Sequence, residues 1–127
     1  MKGIEASHFR QKAVRLIEER KQLENIMMIH QRLLRGSLLE RPKFCGKPGC
    51  KCTKGQPHPP SLYLSRLVEG TVRHLFIRAK DHDRARKKAL SYKEFRQSLR
   101  RWRLIEKELN RIWEDLEEVQ EEIYPFE

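Results

Sequence analysis

Apolar residues early in the chain recur every seven positions at Phe9, Leu16 and Leu23, and His30 continues the series. Ile26 and Leu33 fill a second seam, and Met27 and Leu34 widen the stripe. This is the heptad pattern of a helix that packs on another helix, flawed where Lys12 and Glu19 take second-seam positions. It predicts a helix over residues 7–35, with Ser7 as N-cap and Gly36 as a left-handed C-cap. His30, on the apolar seam, reads as a packing residue. A second run is cleaner: Trp102, Leu109, Leu116 and Ile123 repeat every seven, and Ile105, Ile112 and Val119 interleave. It predicts a helix over 82–123, capped by Asp81 or Asp83 and closed by Pro125. Ser91 and Glu94 have capping-box spacing and allow a break.

Between the helices the period changes. Residues 37–44 read as a connector: Ser37 and Glu40 have capping-box spacing for one extra helical turn, which Pro42 stops. Residues 61–79 alternate and carry β-branched and aromatic side chains on either side of Glu69-Gly70, the signature of a β-hairpin. Tyr63, Phe76, Tyr92 and Phe95 share faces with aliphatics and read as core, with stacking on nucleic-acid bases as the alternative. The expected fold is α+β and mainly α. Two long antiparallel coiled-coil-like helices flank a loop and a two-stranded hairpin, in one domain over residues 1–127. The expected register sets Phe9 beside Ile123 and Leu34 level with Leu99.

The loop, residues 43–60, changes the picture most. Its sequence is KFCGKPGCKCTKGQPHPP, and it holds all three cysteines of the chain. Cys45, Cys50, Cys52 and His58 form C-x4-C-x-C-x5-H, three thiols and an imidazole for a tetrahedral structural Zn2+. Pro48-Gly49 supplies a tight turn that brings Cys45 toward Cys50, and Pro57 and Pro59 fix the chain around His58. His74 or His82 is the substitute fourth ligand. Unligated reduced cysteines, or a redox-active pair, are the alternatives. Four ligands for four positions leave none open for a substrate, which argues for a staple and against zinc hydrolysis.

The net charge of +10 is unevenly spread. Residues 41–80 carry nine Lys and Arg against one acidic residue, and 81–103 nine against three. Residues 104–127 reverse this, with two basic against nine acidic. Basic charge gathered in the middle of a chain points to a polyanion. The candidate phosphate contacts are Lys47, Lys51 and Lys54 in the loop and Arg66, Arg73 and Arg78 on the hairpin. Arg84, Arg86, Lys87, Lys88, Arg96, Arg100, Arg101 and Arg103 follow on the second helix. No run approaches the ~18 apolar residues of a membrane span, and the first residues lack the apolar core of a signal peptide. A cytoplasmic protein with no membrane partner is expected.

The stretch CGKPGCKCTKGQPHPPSLYLS, followed by a hairpin and a helix, resembles the small uncharacterised bacterial and archaeal proteins marked by a CGKPGCRC-type motif, the DUF6788 family. In those proteins the loop runs to a histidine-glycine-proline-tyrosine segment. Here it reads His58-Pro59-Pro60-Ser61, so Pro59 and Ser61 depart from the pattern while the cysteines and His58 keep it. The resemblance spans roughly residues 30–100 and brings no established activity.

The leading expectation is a non-enzymatic, zinc-stabilised nucleic-acid-binding accessory protein, with DNA favoured over RNA and the helices forming a homodimer or positioning the head. The alternative is a coiled-coil adaptor or regulatory subunit that binds a helical partner. An enzyme is not expected: there is no Ser-His-Asp set and no phosphate-binding glycine loop. The carboxylates of Glu114 to Glu122 follow helical spacing, as a solvated flank does.

Overall fold

The computed structural model describes residues 2–43, 45–56 and 58–127. In chain order it contains helix α1 (Lys2–Met27), strand β1 (Ser37–Lys43), strands β2 (His58–Val68) and β3 (Thr71–Ile77), and helix α2 (His82–Gln120). Short 3-10 turns occupy Lys51–Lys54 and Ala79–Asp81. The chain divides into two compact units, one made of residues up to His30 together with Phe95–Glu127, the other of Gln31–Glu94.

The first unit is an antiparallel helix pair. Its core is Ala6, Ala13 and Leu16 of α1 against Ile105, Leu109, Ile112 and Leu116 of α2, with Phe9, Leu23 and Val119 packed at the margin. On α2 these are the expected heptad positions. On α1 the second seam is Ala6 and Ala13, not the series through Lys12, Glu19 and Ile26. Alanine adds little to a hydrophobicity pattern, yet Ala6 and Ala13 are buried in the same cluster as the large residues of α2. Lys12 and Glu19 therefore stand off the seam, and the apparent flaw disappears. Polar contacts fix direction and register. Glu19 accepts two hydrogen bonds from Arg101, at 2.6 and 2.9 Å. Arg20 pairs with Glu106, Trp102 Nε1 donates to Glu24 at 3.2 Å, and Arg10 donates to Gln120 at 3.0 Å. Since α2 ends at Gln120, Ile123 lies beyond the helix and is exposed.

The second unit departs from expectation. The hairpin is not two-stranded: β1 adds to it, giving an antiparallel sheet in the order β1-β2-β3. Nor do two long helices flank the loop and hairpin as expected. The first stops at Met27, His30 is exposed, and residues 28–35 form neither helix nor strand. The Leu34 amide bonds instead to the Lys88 carbonyl, at 3.1 Å. Gly36 is not a helix cap. It lies so close to β2 that a Cβ there would stand 2.5 Å from the Ser65 carbonyl oxygen. A two-stranded ribbon alone is marginal, and pairing Ser37–Arg41 with Ser61–Ser65 satisfies one of its open edges. Pro42, which seemed only to limit a helix, falls where the register shifts between Arg41 and Lys43. An edge-strand irregularity tolerates proline because no ladder N–H is required there.

Alternation gives the sheet two different faces. Leu62 and Leu64 are 1% and 2% exposed, and cross-strand partners place Leu38, Glu40 and Ile77 on their side. The first turns of α2 are tied to this sheet. Arg86 pairs with Glu40 at 2.5 Å, and His82 Nε2 donates to the Ile77 carbonyl at 3.1 Å. Leu39, Arg41, Tyr63, Ser65, His74 and Phe76 lie on the opposite face.

Candidate metal centre

The added strand, β1, is what builds the site. Lys43 at the end of β1 pairs with His58 at the start of β2. The cysteine loop is therefore the connection of a β-hairpin, closed at its base by the sheet. This register brings Cys45 and His58, thirteen positions apart in sequence, to the same end of the sheet.

Within the loop, Lys47-Pro48-Gly49-Cys50 forms a tight turn in which the Cys50 amide donates to the Lys47 carbonyl at 3.3 Å. Gly49 sits at φ +80°, as the third residue of a proline-containing type II turn requires. Cys50 then leads into the 3-10 turn Lys51–Lys54. Its carbonyl accepts from the Thr53 amide at 3.0 Å and from the Thr53 hydroxyl at 2.6 Å. The two consecutive turns fold the three cysteines onto one point. Pro57, expected to brace His58, lies outside the described residues.

The donor atoms of Cys45, Cys50, Cys52 and His58 all lie within 4.8 Å of one another. Cys45 Sγ is 3.5 Å from Cys52 Sγ, and Cys50 Sγ is 3.4 Å from His58 Nε2. A tetrahedron with Zn–S of ~2.3 Å and Zn–N of ~2.0 Å has edges of about 3.8 Å between sulfurs and about 3.5 Å from sulfur to nitrogen. The separations and the donor chemistry both fit one metal ion. Cys52 is buried, Cys50 and His58 are half-buried, and Cys45 is exposed, so the cluster is anchored on its inner side. The Cys50 thiol is lowered to about 7, chiefly by the Cys52 backbone N–H, with the Cys45 and Cys52 thiols and the His58 charge adding to it. Cys45 moves the other way. The Lys47 backbone N–H favours its thiolate but is outweighed by the neighbouring Cys52 and Cys50 thiols and by burial. The Cys50 thiolate forms readily while that of Cys45 is opposed by its neighbours, which a cation would relieve. His74 and His82, the substitute ligands, are engaged elsewhere, by Arg41 and by the Ile77 carbonyl.

The expected phosphate contacts fall in both units. Lys47, Lys51, Lys54, Arg66, Arg73, Arg78, Arg84, Arg86, Lys87 and Lys88 belong to the sheet unit. Arg96, Arg100, Arg101 and Arg103 belong to the helix pair. Three of them hold carboxylates: Arg78 with Asp81, Arg86 with Glu40, and Arg101 with Glu19. Arg66 and Arg73 are directly opposite on β2 and β3, both exposed, with no acidic partner among the described residues. The sequence pattern does not single out Arg41, whose guanidinium lies 5.2 Å from the Tyr63 ring centroid. Its signal was the alternation Leu39, Arg41, which is legible only once 37–43 is a strand. Phe76, expected in the core, is 61% exposed.

No helix among the described residues is long and apolar enough to cross a membrane. No curated protein and no solved structure matches the chain. Residues 12–87, which include both the sheet and the cysteine loop, match the model of a domain of unknown function, DUF6788, and the chain belongs to that family.

Proposed function

We propose that this is a nucleic-acid-binding accessory protein in which Zn2+ is structural and no reaction is catalysed, with DNA the favoured partner. The observation that carries the reading is the Arg66–Arg73 cross-strand pair. Like charges directly opposite on a sheet destabilise it, and a polyanion converts that repulsion into attraction. Lys47, Lys51 and Lys54 add charge on the metal loop, and Glu69 is the only acidic residue across 41–80. With three thiols and an imidazole as ligands, the ion has no open position, so its task is to hold the loop and its lysines in place.

The test is fluorescence anisotropy with labelled duplex DNA, single-stranded DNA and RNA over a salt series. Six or more phosphate contacts predict an affinity loss of roughly a thousandfold between ~50 and ~200 mM salt. Binding that is absent, or indifferent to salt, refutes the proposal.

A second reading has its own support. The helix pair leaves Val14, Leu104 and Trp113 exposed, as a helical partner or a second copy of the chain would require. A native mass above that of one chain, lost when these residues are made polar, is the result expected of it.

A further inference from the structure

The face of the sheet opposite Leu62 and Leu64 has the composition of a recognition surface. Tyr63 and Phe76 are cross-strand neighbours whose rings meet edge to face at 5.7 Å and 66°. Arg41 covers part of the Tyr63 ring, and its Nη2 donates to His74 Nδ1 at 2.7 Å. That bond leaves the His74 hydrogen on Nε2, as a donor. Leu67 and Val72, a cross-strand pair toward the hairpin end, are exposed as well. Among the strand residues described on this face Arg41 is the charged one, since Glu40 is on the other side with Arg86. Where Phe76 borders the start of α2 the same groove includes Arg84 and Lys88, and its one carboxylate, Asp81, is paired with Arg78.

We infer that this open face is a stacking platform for the unpaired bases of a single-stranded nucleic acid. The inference rests on the nucleic-acid reading above and adds the form of the ligand and the surface that takes it. An exposed aromatic ring on an antiparallel sheet offers a flat π-face to any base, and an adjacent guanidinium offers charge to the phosphate. A purely apolar partner would bury the Arg41 charge without an anion and His74 Nε2 without an acceptor, at a cost that an anionic, hydrogen-bonding ligand avoids. A paired duplex keeps its bases stacked on each other and leaves Phe76 without one. Phe76 makes the principal contact because it is the more exposed ring. Arg41 bonds the backbone, and His74 Nε2 donates to a base edge or sugar.

The test uses the full-length zinc-loaded protein with labelled oligo-dT, oligo-rU and a duplex of the same length, at fixed salt. The wild type binds an oligonucleotide more tightly than the duplex. Phe76→Ala and Phe76→Leu weaken that binding by roughly 5- to 150-fold, the loss expected for one stacked base. Phe76→Trp retains it, and its indole fluorescence is quenched on binding. Duplex binding is unchanged by all three. The tighter of dT and rU identifies the sugar. Three results overturn the inference alone: a wild type that prefers duplex, oligonucleotide binding that Phe76→Ala leaves intact, or a Phe76→Ala that alters only self-association. A wild type that binds no nucleic acid overturns the functional reading first. Since Phe76 is largely exposed, none of these variants empties the core, and Phe76→Leu keeps apolar bulk while removing the ring.

Discussion

Removing the metal should unfold the cysteine loop and spare the helices. Among its described residues the loop contains four backbone hydrogen bonds of its own, from the amides of Cys50, Thr53, Gly55 and Gln56, and one buried side chain, Cys52, 3% exposed. At ~1 kcal/mol per hydrogen bond and about 1 for the cysteine, these contribute about 5 kcal/mol. Ordering about a dozen residues costs ~18 kcal/mol at the middle of the usual range. The deficit of about 13 kcal/mol falls within the ~10–16 kcal/mol that a structural zinc ion supplies. The loop therefore stands with the ion and falls without it. Core residues Ile105, Leu109, Ile112 and Leu116 belong to a separate compact unit and hold the helix pair regardless. The assay is hydrogen–deuterium exchange of peptides covering residues 45–58, with and without a strong zinc chelator, alongside ellipticity at 222 nm and zinc released per chain. One zinc per chain, lost protection in that segment and a helical signal reduced by no more than ~10% are expected, the loop holding only one short 3-10 turn. Cys52→Ser should reproduce the chelated state. Equal exchange before and after chelation, or protein purified without metal, would show that other forces order the loop and that the ligand assignment is wrong.

Other consequences concern the scaffold. Leu109→Ala removes a side chain that is 1% exposed and should cost about 2–5 kcal/mol in urea unfolding followed by helical ellipticity, whereas Leu104→Ala, at an exposed site, should stay within ~0.5. Gly36→Ala forces a Cβ to 2.5 Å from the Ser65 carbonyl oxygen, so β1 must shift; a loss of about 1–3 kcal/mol is expected, with exchange rising in Ser37–Arg41 before it rises in β3. Arg101 holds the Glu19 carboxyl below its ordinary value of 4.5, mainly through hydrogen bonds. The pair's stabilisation is thus fully present above that value and lost as pH falls through the lowered one. Thermal melts of the wild type should approach those of Glu19→Gln as pH falls below the ordinary carboxylate range, and a gap that does not narrow on acidification would contradict the assignment.

What the sequence reveals depends on whether a residue's role is set locally. The α2 seam is legible because Ile105, Leu109, Ile112 and Leu116 are large and regularly spaced. The α1 seam is half hidden because Ala6 and Ala13 fill it, and a pattern weighted by hydrophobicity passes over them in favour of Ile26 and Leu33. The cluster that could hold a metal ion is legible because thiol and imidazole announce their chemistry and the turns that gather them, Pro48-Gly49 above all, lie between them. Strand β1 is not. Ser37 and Glu40 carry a helical capping signature, and only the non-local ladder to Ser61–Ser65 overrides it.

That single misjudged segment propagates into the function. Without β1, Arg41 belongs to a connector, Tyr63 and Phe76 belong to a ribbon that must hide one face against helices, and the cysteine loop is tethered at one end only. With β1 in place, His58 is held opposite Lys43, the loop becomes a hairpin connection, and the sheet has enough width to bury Leu62 and Leu64 on one side while leaving the aromatic pair open on the other. The same non-locality governs the cations. Arg86 and Arg101 look like free phosphate contacts in sequence, yet their charge is met by Glu40 and Glu19 from far along the chain. Neutralising them should perturb stability before binding. Arg66 and Arg73 face only each other across the ladder, so Arg66→Gln should relieve repulsion in the free protein while weakening nucleic-acid binding. Opposite signs of effect on the melting temperature and on affinity separate a charge kept for a ligand from one kept for the fold. A variant that lowers both would place Arg66 among the structural cations and remove the main support for a polyanion partner.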